Sequence, residues 1–412
     1  MSKIDELIND LCPDGVPHLP LGQLGEIQRG KRFVKDDMIE SGVPCIHYGE
    51  IYTKYRHFAV KAHSFVSEVL AQRMRFAKSG DVVMVSAGET IMDIGKSLAW
   101  LGEEDVVIHD ACYLFRSPLD PKYVVFFTQT DSFHNQIRKY ISSSKISAIS
   151  TQNLKKVLIP VPPIEVQREI VSILDKFTEL EAELEAELEA RRKQYEHYHR
   201  ELLWSEKSEE TSEFRLVKDV CNEKFWLMPA TPKYIENGEI PYITSKNLKN
   251  GEISFTVSKM ISRDSFDEIS KNRSIEVDDV LIGMIGTIGE VGRVKASDPE
   301  FYGQNMYLLR LNQDEIDIDY FLQFINSDTV RRYFSSVKHN SSQGYLKAEH
   351  VEELRIPVPS LVQQRRIAKI LDSFKALTYD LNSGLPGEID ARRNQYEYYR
   401  DKLLTFKDLE VA

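Results

Sequence analysis

Two words recur in this chain. Residues 159–177 read IPVPPIEVQREIVSILDKF and residues 356–374 read IPVPSLVQQRRIAKILDSF, identical at 11 of 19 positions at an offset of 197. Farther on, ARRKQYEHYHRELL at 190–203 meets ARRNQYEYYRDKLL at 391–404, now at an offset of 201. The second copy has gained four residues between its matching blocks. A long-period repeat constrains the fold more than any local pattern, because each copy needs equivalent surroundings. Weaker echoes lie upstream: Ile46 aligns with Ile243 and Tyr123 with Tyr320 at 197, and Asp81-Val82 with Asp279-Val280 after a shift of one. The chain therefore reads as divergent body, similar tail, divergent body, similar tail.

At 412 residues it exceeds one ordinary core and fits two domains with connections. The segments are 1–158, a first body with an N-terminal stretch; 159–212, a central repeat; 213–355, a second body; and 356–412, a distal repeat. The bodies read as α+β. Runs such as DVVMVS, DVLIGMIG and MYLLRL suggest strands, and PKYVVFFTQTDSFHNQIRKYI and IDYFLQFINSDTVRRYF suggest short helices.

The tails read as long helices. From Val166 to Trp204 there is no Pro or Gly, and Ile170, Ile173, Leu174, Phe177, Leu180 and Leu184 form one apolar face. Glu179, Glu183 and Glu187, like Glu181, Glu185 and Glu189, repeat at i, i+4 with no cation spaced to relieve them before Arg191. Such a helix needs a partner. The second tail supplies one, interrupted around Gly384, Pro386 and Gly387, where the four extra residues fall. Two rods, each leaving its own body, can pair only antiparallel. The expected fold is two similar heads on a pseudo-two-fold pair of long helices, a coiled-coil spacer.

Charge is uneven. The net value is −11, but residues 14–158 carry +2, residues 159–212 carry −7 and residues 213–355 carry −5. Nucleic-acid binding would thus depend on local basic loops. The four cysteines are scattered without a CxxC pair, which argues against zinc or disulfide scaffolding and fits a reducing cytoplasm. No apolar run reaches membrane-spanning length, and the first residues lack a signal-peptide core.

Near-motifs for chemistry fail on spacing. GETIMDIGKS has six residues, not four, between its first Gly and the Gly-Lys pair, so it is not a phosphate loop. GMIGTIGEVG places Gly283, Gly286, Gly289 and Gly292 at every third position and reads as a tight turn between strands. His197 and His199 are two apart, wrong for helical metal ligands, and read as a solvated or partner-facing surface. No catalytic constellation is found, and no metal is expected.

Basic and aromatic loops are the better candidates. QRGKRFVK offers Arg29, Lys31, Arg32 and Lys35, and HYGEIYTKYRH offers Tyr48, Lys54 and Arg56. Such groups contact phosphates and base edges, or simply solvate a loop. Lys145 and the pair Lys338 and Asn340 sit in polar loops before each tail, and Lys246 and Lys249 in the second body. On the tails, Gln167, Arg168, Tyr195 and Tyr198 recur as Gln364, Arg365, Tyr396 and Tyr399. The tyrosines either pack the two rods together or dock a partner twice.

The two repeated words, in the same order in both copies, resemble the specificity subunit of type I restriction–modification enzymes, over the full chain. The resemblance implies that each body is a target recognition domain reading half of a bipartite double-stranded DNA sequence. It implies that the repeats form an antiparallel spacer fixing the gap and docking two methyltransferase subunits, joined by restriction subunits. S-adenosylmethionine, ATP and magnesium would belong to those partners, and the chain itself would be a non-catalytic cytoplasmic subunit. Because the two bodies differ in sequence, the target is expected to be asymmetric. A non-catalytic coiled-coil scaffold with two ligand-binding heads, or the specificity part of a fused restriction system, are the alternatives.

Overall fold

A computed structural model describes residues 3–409 except 89, 91–92, 144–146, 205–212, 250, 338–343 and 380–383. The chain divides into two compact units, Met1–Glu185 with Glu388–Ala412, and Ala186–Gly387. This division differs from the linear segments. Each unit contains one head, part of the first tail and part of the second.

In the first unit, the head opens on strand His18–Pro20 and closes on Leu158–Pro160, paired antiparallel with Leu19 opposite Ile159. Between them lie two five-stranded sheets. One runs Glu26–Arg29, Cys112–Arg116, Val82–Val85, Ser97–Trp100, Phe58–Ala59; the other runs Met38–Ile39, Ser64–Val66, Val43–Ile46, Val106–Ile108, Phe76–Ala77. The DVVMVS run has no polar alternation because both faces of its strand are covered. Val82 and Met84 join a core with Tyr123 and Phe126, whereas Val83 and Val85 join Ile46, Trp100 and Ile108. Fully burying side chains of this size contributes roughly 1.5–3 kcal/mol each.

The second unit repeats this plan with fewer strands. Glu213–Leu216 pairs antiparallel with Arg355–Val358, a four-stranded sheet runs Cys221–Leu227, Met306–Leu311, Val280–Gly283, Val291–Arg293, and a three-stranded sheet runs Lys259–Ile261, Ile240–Thr244, Tyr302–Gln304. Val280 and Ile282 face Tyr320 and Phe324, while Leu281 faces Ile243 and Tyr302. The glycine-rich stretch is the expected turn. Gly286 (φ +83°) and Gly289 (φ +77°) take left-handed backbone between Val280–Gly283 and Val291–Arg293, where a side chain is disfavoured.

Head and tail are tied by three matching bonds in both units, with one more in the second, from Gln364 Nε2 to the Glu315 carbonyl (2.9 Å). Helix Pro121–Phe127 is capped by Asp120, and Ile318–Ile325 by Asp317. The Asp120 backbone N–H donates to Gln167 Oε1 (2.9 Å), Gln167 Nε2 donates to the Pro162 carbonyl (2.8 Å), and the Tyr123 hydroxyl donates to the Pro160 carbonyl (3.0 Å). At offset 197, Asp317 N–H donates to Gln364 Oε1 (2.8 Å), Gln364 Nε2 to the Pro359 carbonyl (2.7 Å), and Tyr320 to the Pro357 carbonyl (2.9 Å). The Pro-rich word recurs because its carbonyls, free of helix, receive these donors.

The first-tail helix, Ile164–Trp204, has 41 residues, about 62 Å at 1.5 Å per residue. In the first unit it runs antiparallel to Leu385–Leu403: Phe177 stacks on Tyr399 (5.6 Å) while Glu181 and Glu185 both reach Arg393 (2.6 Å each). In the second unit it runs antiparallel to Leu361–Tyr379, with Tyr198 against Phe374 (5.6 Å) and Tyr195 against Tyr379 (5.9 Å). Of the glutamate rows, Glu181 and Glu185 thus find cations in tertiary contacts, Arg393 and also Arg56 (2.5 Å from Glu185), while Glu187 and Glu189 pair within the helix with Arg191 and Lys193. The second tail breaks where expected, ending one helix at Tyr379 and starting the next at Leu385, with Pro386 in its first turn.

Candidate nucleic-acid interface

In the first head, strands Val43–Ile46 and Val106–Ile108 are parallel, with Ile46 opposite Ile108. Their next residues, His47 and His109, meet with ring centroids 4.5 Å apart. Phe33 packs edge-on to both, and Tyr48 lies 4.6 Å from His47 and 5.2 Å from His109. Burial first, then His109 and the nearby Lys35, push His47 down to about 4 against the pull of Glu50. Burial lowers His109 too, with Arg32 and Arg29 adding to it and Asp110 opposing. Both rings are therefore neutral at pH 7.

The basic segment runs along this cluster. Lys31 forms a parallel bridge with His109, and Arg29 Nε donates to the Asp110 carbonyl at 2.7 Å. Arg29, Lys31, Arg32 and Lys35 are all exposed. The structure thus brings the four cations and Tyr48 to one edge. It does not bring Lys54 or Arg56 there as free charges. Lys54 neutralises the buried Glu50 (3.1 Å), and Arg56 bonds Glu185 and the Thr178 carbonyl on the tail helix. Those two cations are engaged in holding the fold. The histidines escaped the sequence reading; their signal was only their place after each apolar strand.

In the second head, the parallel pair Ile240–Thr244 and Tyr302–Gln304 ends with Thr244 opposite Gln304. Lys246 and Lys249 follow directly and are exposed. The first-head and second-head turns match in detail. His47 N–H donates to Glu50 Oε2 and Thr244 N–H to Asn247 Oδ1, both at 3.0 Å and 197 positions apart. Lys145, Lys338 and Asn340 lie outside the described residues.

The tail candidates separate by burial. Gln167 and Gln364 are 3% and 0% exposed, with their amides bonded inside the unit, so they fasten head to tail and present no docking surface. Tyr396 is also buried and donates to Gln129 Oε1 (3.0 Å); Tyr195 reaches Gln323 Oε1 (3.4 Å). Tyr198 and Tyr399 pack against Phe374 and Phe177 but remain 37% and 36% exposed. Arg168 is exposed, as is Arg365, which pairs with Asp317 (3.4 Å). His199, expected at a surface, is buried beside Tyr195 because it faces the second head; only His197 is exposed. No described helix is long and apolar enough to cross a membrane.

The model of the type I restriction modification DNA specificity domain matches residues 13–190 and again 209–391. The chain belongs to this family. Each match of the specificity domain takes in one head and the first part of the tail that follows it. The chain is 32% identical over 278 residues to the EcoR124I/EcoR124II specificity subunit of Escherichia coli, covering 64% of this chain and 66% of that one. It is 30% identical over 253 residues to the EcoprrI specificity subunit of Escherichia coli, covering 58% of each. The chain thus spans just under two thirds, and somewhat over half, of these relatives' lengths. In fold it resembles the type I S subunit of M. genitalium (TM-score 0.52, 17% identity, 94% of this chain and 96% of that). It also resembles the HsdS subunit of Thermoanaerobacter tengcongensis (TM-score 0.54, 14% identity, 96% and 97%). The α+β fold with two sheet-rich heads and paired tail helices is thus that of the type I specificity subunits.

Proposed function

We propose that this chain selects the DNA sequence on which a type I restriction–modification complex acts, each head reading one half of an asymmetric bipartite target. The observation that carries this reading is one scaffold used twice with different chemistry at the same place. The first head offers a histidine pair beside four cations, and the second a Thr–Gln pair beside two lysines. Cations of this kind position a protein on phosphates, and polar side chains beside them read base edges.

The chain is the non-catalytic member of its complex in this reading. Methyltransferase and restriction subunits would supply the chemistry, together with S-adenosylmethionine, ATP and magnesium. The exposed tyrosine edges, Tyr198 and Tyr399, and Arg168 and Arg365 are the tail groups available to such partners. The tail helix serves as a ruler between half-sites. Inserting one further LEAE unit after Glu187 lengthens it by about 6 Å, near two base pairs at 3.4 Å. The expected outcome, read by mapping methylated bases in a host carrying the complete system, is a longer gap with both half-sites unchanged. Altered half-sites would sink the ruler, and no sequence-specific methylation dependent on this chain would sink the function.

A further inference from the structure

Thr244–Gln304 in the second unit and His47–His109 in the first occupy equivalent positions at the ends of equivalent parallel strand pairs. Counting from the paired strands, Cys45 and Val107 correspond to Tyr242 and Tyr302, and Ile46 and Ile108 to Ile243 and Gly303. One residue later the buried strands give way to the turn. In both units the residue at this point caps a helical turn and its backbone N–H donates to a side chain three residues on. The first turn continues as the α-helix Tyr48–Thr53, whereas the second is a short 3-10 turn, Ser245–Asn247. At this rung an aromatic histidine pair in the first unit is replaced by the polar Thr244 and Gln304 in the second.

Hydrogen bonding settles what the histidine rung can offer. His47 Nδ1 accepts the Gly49 N–H (3.2 Å) and His109 Nδ1 accepts the Ala111 N–H (3.0 Å). In the neutral rings the proton therefore sits on Nε2. His109 is further bonded to the Phe33 backbone. His47 Nε2 makes no hydrogen bond among the described residues. In the second unit, Gln304 Oε1 already accepts from Tyr242 (3.2 Å) and Thr231 (3.3 Å), and the Thr244 hydroxyl donates to Asn247 Oδ1 (3.4 Å), which leaves the amide N–H groups of Gln304.

We propose that this rung is the specificity-determining position of each head, with His47 presenting a single N–H donor to a base in the half-site read by the first unit. This rests on the DNA-reading function proposed above. His109 acts through His47, as a positioning residue that holds the ring. A lone donor selects an acceptor edge in the major groove, guanine N7/O6, adenine N7 or thymine O4, and rejects cytosine, whose N4 is itself a donor. The neighbouring cations hold the phosphates on either side and carry no sequence information.

His47→Asn tests this cleanly. Asparagine places Oδ1 where Nδ1 was, keeps the turn acceptor and is a favoured residue there, but it removes the ε N–H. The full-length chain and the variant are each incubated with a randomised duplex library, and the bound fraction is sequenced. The wild-type chain is expected to enrich a two-part motif, with cytosine excluded at one position of one half. His47→Asn is expected to admit cytosine there, with roughly tenfold loss of discrimination, and to leave the other half unchanged. Gln304→Glu keeps the oxygen that accepts from Tyr242 and Thr231 but removes the N–H donors, and is expected to relax one position in the other half only. Should the wild type enrich no motif, the function itself fails. If it enriches a motif that both folded variants reproduce unaltered, the rung assignment is overturned. A melting temperature equal to wild type certifies each variant, and Gln304→Glu stands as the independent arm should His47→Asn unfold.

Discussion

In the first unit the buried Asp81 is gripped by Arg116, whose side chain remains 42% exposed; in the second, Asp279 is fully buried and Arg310 only 19% exposed. Both pairs are two-pronged, with both carboxylate oxygens bonded, and both aspartates also accept a backbone N–H three residues upstream. Arg310 additionally touches Glu223 and Glu276. The two heads share a skeleton of interactions, then differ in how deeply each is sunk and in what chemistry is displayed at the edge. Divergence was tolerated at displayed positions because the framework beneath does not depend on them.

The largest expected effect breaks that framework. Arg310→Ala leaves a buried carboxylate without its partner and should cost the second unit about 3–5 kcal/mol. Arg116→Ala should cost the first unit distinctly less, since water can replace a half-exposed guanidinium. Hydrogen exchange followed over each unit checks both; equal losses would refute the burial argument. The pH dependence has a definite sign. Burial raises the Asp279 pKa, with Arg310 opposing. Removing Arg310 raises it further, so the folded state binds a proton more readily than the unfolded chain. Stability of the variant is then gained as pH falls through that raised value and lost as pH rises, and the deficit should shrink on acidification.

A middle-sized effect should appear in both units. Gln167→Leu and Gln364→Leu each strand the N–H of a capping aspartate and a proline carbonyl, and Gln364→Leu strands the Glu315 carbonyl as well, at roughly 1–3 kcal/mol apiece. Urea unfolding monitored in each unit should give losses of this size, the larger for Gln364→Leu. A larger loss for Gln167→Leu would show that the 197-residue correspondence of these bonds is not one of energy.

The smallest effect sharpens a difference between the tails. Arg393 is held by Glu181 and Glu185, whereas its counterpart at offset 201, Arg192, lies over the Tyr379 ring (5.4 Å). Arg393→Ala is expected to cost roughly 0.2–1 kcal/mol at low salt and less at 0.5 M, because exposed ion pairs are screened. Arg192→Ala should lose a similar amount with little salt dependence. Melting at two ionic strengths distinguishes them.

Much of this was legible in the residues. The interrupted second tail followed from Gly384, Pro386 and Gly387, and the need of Glu181 and Glu185 for outside cations followed from their spacing. The Gly286–Gly289 turn was legible for the same reason: local backbone preference acts over a few residues. Arg56 and Lys54 were not legible as fold-holding cations, since a basic side chain shows its partner only once the chain has folded. Gln167 and Gln364 looked like repeated surface polar groups because they recur in a helix otherwise dotted with charges. Their burial depends on a cap nearly fifty residues upstream.

By itself the sequence determined the plan. Hydrophobic periodicity and duplicated words specify two heads, two helical tails and their antiparallel pairing, because each apolar face demands an equivalent partner. Only the tertiary structure decided how the tails are shared between compact units and which cations are free at the surface. It also decided that His47 and His109, distant in the chain, stand side by side. Parallel strand pairing makes that last contact, and register between remote strands is set by the packed core beneath them rather than by any property of the two residues.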